Sequence, residues 1–265
     1  MEIRRKKQIS DLAEYIATED GDYGIPVNVI KIAEDNDISY SFNDYGNYFD
    51  GLLEQEDGHF HIYINDYGKL LKSSVRTRFS FSHELGHYFI DEHRMILENG
   101  NSLLHPSFYM MHQKESVEKE ADYFASCLLM PEKTFLKFCQ NFFSYEIIRE
   151  IQESFQVSLS AALFRYIDLG AIPITVVCVK KGIIQYDWHS VDFPYPYLNK
   201  DYTKKVPLLT CAGDYFTNEV VCDKTEDVDA KEWFRSYDDI SELTVHEKCI
   251  YQKKFDTTIS ILWFD

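Results

Sequence analysis

The sequence predicts an α+β protein: a helical core with one small antiparallel sheet, then a helix pair, then a β-rich C-terminal domain. Three observations predict it. Apolar residues recur at helical spacing in several runs before Gly170. Short runs with strand-like patterning stand among them between Ile38 and Asn65. From Ala171 onward the texture changes to short β-like runs separated by turn residues. With 265 residues, 45% apolar and 27% charged, the chain has room for two domains of ordinary globular composition. They are expected over residues 1–170, with the helix pair at 144–170, and over 171–265.

Taken in order, Ser10–Ile16 reads as a short amphipathic helix, and Ile25–Ala33, opening on Pro26 and Asn28, as a second. Ile38–Phe42 reads as a strand. Gly51–Leu53 and His59–Asn65 read as an antiparallel pair, with Phe60, Ile62 and Ile64 alternating onto one face. A long helix is expected from Ser74 to Ile90, burying a stripe of Val75, Phe79, Ser82, Gly86 and Ile90. Gly86 costs about 1 kcal/mol against Ala inside a helix, so its expected use is the close approach of a neighbouring backbone. Leu97–His112 reads as loop, and Ser116–Leu129 as a helix ended by Pro131. Tyr145–Phe155 and Leu159–Leu169 form the helix pair, with Ser158 as N-cap and Gly170 as stop. Ile174–Lys180 and Ile183–Trp188 flank Lys181-Gly182 as a hairpin, with further strands near Val206–Cys211, Tyr215–Cys222 and Thr257–Phe264. Lys224–Asp239 reads as an acidic loop with a turn at Trp233-Phe234.

The chemistry concentrates in His83-Glu84-Leu85-Gly86-His87, an H-E-x-x-H run within the long helix. Residues four apart stack on one helical face, so His83 and His87 can aim both imidazoles at one zinc ion. Glu84, rotated by roughly 100° from His83, lies beside that point, where it could take a proton from a zinc-bound water. A third ligand has two candidates. His93 stands six residues after His87, but the sharp turn this spacing requires falls on Ile90, where glycine is the residue suited to it. Glu118 is preferred: it shares one helical side with Ala121, Asp122 and Ala125, and the two alanines suit close helix packing. Asp122 is then placed to accept a hydrogen bond from a ligating histidine. Glu115 and Glu120 are further carboxylates on the same run. His59 and His61 alternate outward on their strand and are not read as ligands. The strand at 59–65, just before the helix, is expected to pair with an extended substrate, so that Tyr63→Pro would cripple cleavage. His105, Tyr109 and His112 are candidate donors to a developing oxyanion.

Arg78-Phe-Ser-Phe-Ser-His83-Glu84-Leu85-Gly86-His87, followed by Glu118-x-Glu120-Ala121-Asp122-x-Phe124-Ala125-x-x-Leu128-Leu129-Met130-Pro131, resembles the ImmA/IrrE family of zinc metallopeptidases over roughly residues 25–170. The resemblance implies a zincin-like core, with His83, His87 and Glu118 on zinc and Glu84 as general base. It implies a protein substrate, often a transcriptional repressor encoded nearby in a bacterium or a mobile element. The family often carries a histidine soon after its first motif; here that region reads Tyr88-Phe-Ile-Asp91-Glu92-His93, which leaves the role of His93 open.

Charge and cysteines bound the rest. With 27 basic against 44 acidic residues, the net charge of −17 repels phosphate backbones, so direct nucleic-acid binding is not expected. The helix pair has the outline of a helix-turn-helix, but only Arg149 and Arg165 stand against Glu146, Glu150, Glu153 and Asp168. No cysteine pair forms C-x-x-C, no leader pattern opens the chain and no apolar run is long enough to span a membrane, so a reducing cytoplasm is the expected location. The rival to a zinc endopeptidase is an inactive zinc-containing protein that regulates by gripping a repressor.

Overall fold

Helix α3 (Val75–Phe89) is the element against which the Ser116–Leu129 helix and the first sheet pack. The computed structural model describes residues 1–19, 23–66, 74–99, 116–199, 203–236 and 239–265, and the backbone of 104–107. The described chain is α+β and divides into two compact units, Met1–Lys137 with Arg149–Ala162, and Phe138–Ile148 with Leu163–Asp265.

In the first unit the order is α1 (Ile3–Thr18), α2 (Val29–Asp35), β1 (Ser39–Asn43), β2 (Gly51–Glu56), β3 (His59–Asn65), α3, α4 (Asp91–Glu98), β4 (Leu104–Ser107), α5 (Ser116–Leu129) and α6 (Glu132–Phe135). Helix α1 starts seven residues before the predicted Ser10. Its first turns are basic and give no apolar period; Arg5 instead bonds Glu120 on α5 and Glu92 on α4. Helix α2 begins at Val29 because the Asn28 side chain accepts from the Lys31 amide.

The sheet has the order β1-β3-β2-β4. Strands β2 and β3 form the expected antiparallel pair, joined at Asp57-Gly58 with φ of +50° and +83°, as a tight right-twisted hairpin requires. The sheet is mixed rather than antiparallel, since β1 runs parallel to β3. Strand β3 is thus hydrogen-bonded on both sides, by β1 and β2, and has no edge to offer an extended substrate. The expectation that the strand at 59–65 pairs with substrate is therefore wrong, and Tyr63→Pro would act on the sheet itself. The loop expected at 97–112 contains β4, which pairs with β2 and carries Pro106, a residue suited to an edge strand.

Helix α3 lies between the sheet and α5, packing on β2 and β3 to one side and on α5 to the other. Its end that bears the motif is buried all round, from Ser80 to His87, rather than along one stripe, and Val75 is 42% exposed. Ser74 caps it by accepting from the Thr77 amide. A Cβ on Gly86 would lie 3.2 Å from the Ala121 Cα and 3.3 Å from its carbonyl oxygen, so the absence of a side chain there lets α3 and α5 touch backbone to backbone. Ile90 leaves the helix at φ −78°, an extended conformation open to a β-branched residue, and α4 starts at once with Asp91 and Glu92 in its first turn.

Helices α7 (Tyr145–Phe155) and α8 (Leu159–Leu169) match the predicted pair, and the Ser158 hydroxyl accepts from the Ala161 amide. Arg165 is buried, and Arg149 pairs with Glu153 one turn on.

The second unit carries an antiparallel sheet of order β6-β5-β9-β8-β7, from β5 (Ile174–Lys180), β6 (Ile183–His189), β7 (Glu226–Asp229), β8 (Thr244–Gln252) and β9 (Thr257–Trp263). The hairpin at Lys181-Gly182 forms as expected, with φ of +52° and +72°. The strands expected at Val206–Cys211 and Tyr215–Cys222 do not form; Cys211–Asn218 is a helix, α9. Thr210 caps it, and the Glu247 carboxylate, fully buried on β8, accepts from the Cys211 and Ala212 amides at 3.0 and 3.2 Å. Trp233 Nε1 and the Ser260 hydroxyl donate to the same carboxylate. Trp233 lies on a short helix, α10 (Ala230–Trp233), inside the stretch expected as acidic loop.

His246 on β8 offers Nδ1 to Asp227 at 2.6 Å and Nε2 to Asp265 at 3.1 Å. Burial alone would lower its pKa, but the two carboxylates raise it. A raised folded-state pKa contributes stability that is fully present below the ordinary value of about 6.5 and is lost as pH rises through the raised one. Thermal midpoints of wild type and Asp227→Asn are therefore expected to differ most in mild acid and to converge in alkali. Curves that stay parallel across that window would remove His246 from the account.

Candidate metal centre

Two turns of α3 and one of α5 build the site. His83 and His87 point from the same face of α3, and Glu118 comes from the first turn of α5. The Gly86–Ala121 contact between the helices brings the carboxylate to the imidazoles. His83 Nε2 lies 3.1 Å from His87 Nε2 and 3.2 Å from Glu118 Oε2, and His87 Nε2 lies 3.5 Å from Glu118 Oε1. A tetrahedral cation with bonds of about 2.0–2.2 Å sets its ligand atoms about 3.3–3.6 Å apart, so these separations are close to the edges of such a polyhedron. Two imidazole nitrogens this near each other repel if both present lone pairs, unless a proton or a cation stands between them. Among the described residues this is the one group of three or more histidine, cysteine, aspartate or glutamate side chains arranged so that it could hold a metal ion.

Asp122, one turn beyond Glu118, takes the other nitrogen of His83: Nδ1 lies 2.9 Å from Oδ1. That bond holds a proton on Nδ1 and turns Nε2 toward the cluster. Burial would by itself lower the His83 pKa. The bonds to Asp122 and Glu118 and the charge of Glu84 overcome it and raise the pKa to about 9 in the metal-free protein. The pocket thus stabilises positive charge at His83, as a cation site requires.

Glu84 is fully buried, on the side of α3 that faces the sheet. Its carboxylate lies over Gly51, the first residue of β2.

His93 is directed elsewhere. Its ring lies 5.2 Å from that of His87, tilted by 42°, but Nε2 lies 3.3 Å from Glu120 Oε2, and Glu120 is in turn bonded to Arg5 at 2.6 Å. Burial holds the His93 pKa down, against the opposing pull of Glu120. Glu120 belongs to this Arg5–His93 network rather than to the cluster. His61 lies on β3, bonded to Ser39 and Ser41. Glu115, Tyr109 and His112 fall outside the described residues, as does the side chain of His105. Sequence reasoning missed Gly51 and Arg5. A glycine opening a strand and a basic N-terminal turn carry no signal of the carboxylates they meet.

With this geometry in view, comparison with known proteins is consistent. The model of a peptidase family described as the IrrE N-terminal-like domain matches residues 23–166, more than half of the chain. A solved structure of a Mycobacterium tuberculosis transcriptional regulator shares the fold, with a TM-score of 0.61 at 15% identity over 98% of this chain and 77% of that one. No curated protein matches the chain in sequence. The two motifs, their order and the match over both together place this chain in the ImmA/IrrE family of IrrE N-terminal-like peptidase domains.

Proposed function

We propose that this protein is a zinc-dependent endopeptidase that cleaves a specific protein partner, a transcriptional repressor. The observation that carries the reading is the convergence of His83, His87 and Glu118, with Glu84 next to His83 on α3 and its charge acting on that ring. Two imidazoles and one carboxylate from protein are the donor set of catalytic zinc sites, which keep a further position for solvent. A zinc ion held by His83, His87 and Glu118 would supply Lewis acidity. Glu84 would serve as the general base and acid, holding a proton taken from the attacking water and passing it to the leaving amine. Asp122 keeps His83 in the tautomer that directs Nε2 inward. Strand β4, bonded to β2 on one side and an edge of its sheet, replaces β3 as the strand against which an extended substrate segment would pair.

The regulatory part of the reading rests on family membership and on the likeness in fold to a Mycobacterium tuberculosis transcriptional regulator. We place the reaction in the cytoplasm, where the six free cysteines stay reduced. No described helix is long and apolar enough to cross a membrane. The acidic field, the burial of Arg165 and the pairing of Arg149 favour a protein partner over direct contact with nucleic acid. Residues 171–265 are assigned to recognition or regulation of that partner.

Purified protein is expected to carry about one zinc per chain, lost in His83→Ala. Co-expression with proteins encoded nearby is expected to show one that is clipped. Stoichiometric zinc with no clipped partner would favour the inactive binder, and absence of zinc would end both readings.

A further inference from the structure

We infer that Gly51 is a positioning residue for the Glu84 carboxylate, acting as a backbone platform that fixes where the proton acceptor lies. Gly51 opens β2 and is hemmed in on both sides, opposite Ile64 of β3 and Ser107 of β4. It is buried, and its Cα faces α3. A Cβ built there would lie 2.5 Å from Glu84 Oε1, 3.1 Å from Cγ and 3.2 Å from Cδ. Glu84 Oε1 therefore occupies the space that a side chain at 51 would fill, with Cγ and Cδ in tight contact beside it.

Conformational freedom does not explain this glycine. Gly51 is absent from the positive-φ residues and lies within a regular ladder, where glycine weakens a strand. Close approach of another group is the remaining reason for a glycine paired on both sides, and the group that approaches is a fully buried carboxylate. Strand pairing on two sides keeps the platform from retreating, and packing of α3 against α5 keeps Glu84 from retreating the other way. A methyl at 51 must displace the carboxylate itself. Its effect should fall on Glu84 before it reaches His83, His87 or Glu118, none of which is among the nearest atoms.

The inference rests on the proposed role of Glu84, but the contact can be tested without it. In a double-mutant cycle of metal-free protein, Gly51→Ala is expected to lower the thermal midpoint by about 3–8 °C. In a Glu84→Ala background, where the space is vacant, the same change is expected to be neutral or stabilising. Equal losses in both backgrounds overturn the inference. If Gly51→Ala alone does not fold, recovery of folding in Gly51→Ala/Glu84→Ala supports it, and failure of both overturns it. Cobalt-loaded protein then separates positioning from packing. Gly51→Ala is expected to keep one cobalt per chain and to change its visible spectrum only when Glu84 is present. A spectrum unchanged with Glu84 present overturns the positioning role. Should wild type bind no cobalt or zinc, the metallopeptidase reading fails by that result, while the thermal cycle still decides whether Gly51 and Glu84 share one space.

Discussion

Glu84→Gln is expected to retain the metal and to lower cleavage of the protein partner by about 10²–10⁴-fold, the usual contribution of a general base. The amide has the shape of the carboxylate, so it fits the same space over Gly51. It cannot accept the proton that the reaction must store. Because Glu84 is fully buried, a neutral group there also removes the desolvation cost of a charge, and the thermal midpoint is not expected to fall. The informative comparison is between metal content and turnover in the same preparation. Metal retained with turnover within a few-fold of wild type would remove Glu84 from the chemistry. Loss of metal together with turnover would instead make Glu84 part of the ligand set.

Gly86→Val is expected to destabilise the protein by about 1–3 kcal/mol, the cost of overpacking a tight core position. Glycine itself costs about 1 kcal/mol of helix propensity, so a smaller side chain would have recovered something if there were room. The Ala121 backbone at 3.2–3.3 Å and the Phe124 ring at 3.1 Å leave none. The same change should weaken metal binding. His83 and His87 ride on one helix and Glu118 on the other, so pushing α3 from α5 opens the cluster. Urea unfolding and a chelator competition titration measure the two effects. A destabilised protein whose metal affinity matches wild type would show that the helices can separate without moving Glu118, contrary to the geometry of the site.

The elements that were legible were those whose residues declare their structure locally. Helix α5 was read to its ends because its apolar period and Pro131 are both local. The hairpin turn at Lys181-Gly182 was read because few residues besides glycine accept positive φ. The elements that were not legible depend on distant partners. Helix α9 falls across the ends of two expected strands, Val206–Cys211 and Tyr215–Cys222, whereas its first amides are held by Glu247, some 35 residues away. Strand β8 was missed because that same glutamate interrupts the apolar alternation of Val245 and Cys249, and nothing near it announces that Trp233 and Ser260 will satisfy a buried carboxylate.

For the site, the sequence by itself determined the spacing of His83, Glu84 and His87, because a helix converts an interval of four into a shared face. It also brought forward Glu118 and Asp122, by their place beside two alanines on a second helix. Only the tertiary structure shows which of Glu118 and His93 lies by both imidazoles, since α4 turns His93 toward Glu120 and Arg5 while the Gly86–Ala121 contact carries Glu118 to them. Only the tertiary structure placed Gly51 under Glu84 and closed both sides of β3. Sequence periodicity specifies which residues share a face; which faces meet is set by packing between segments far apart in the chain.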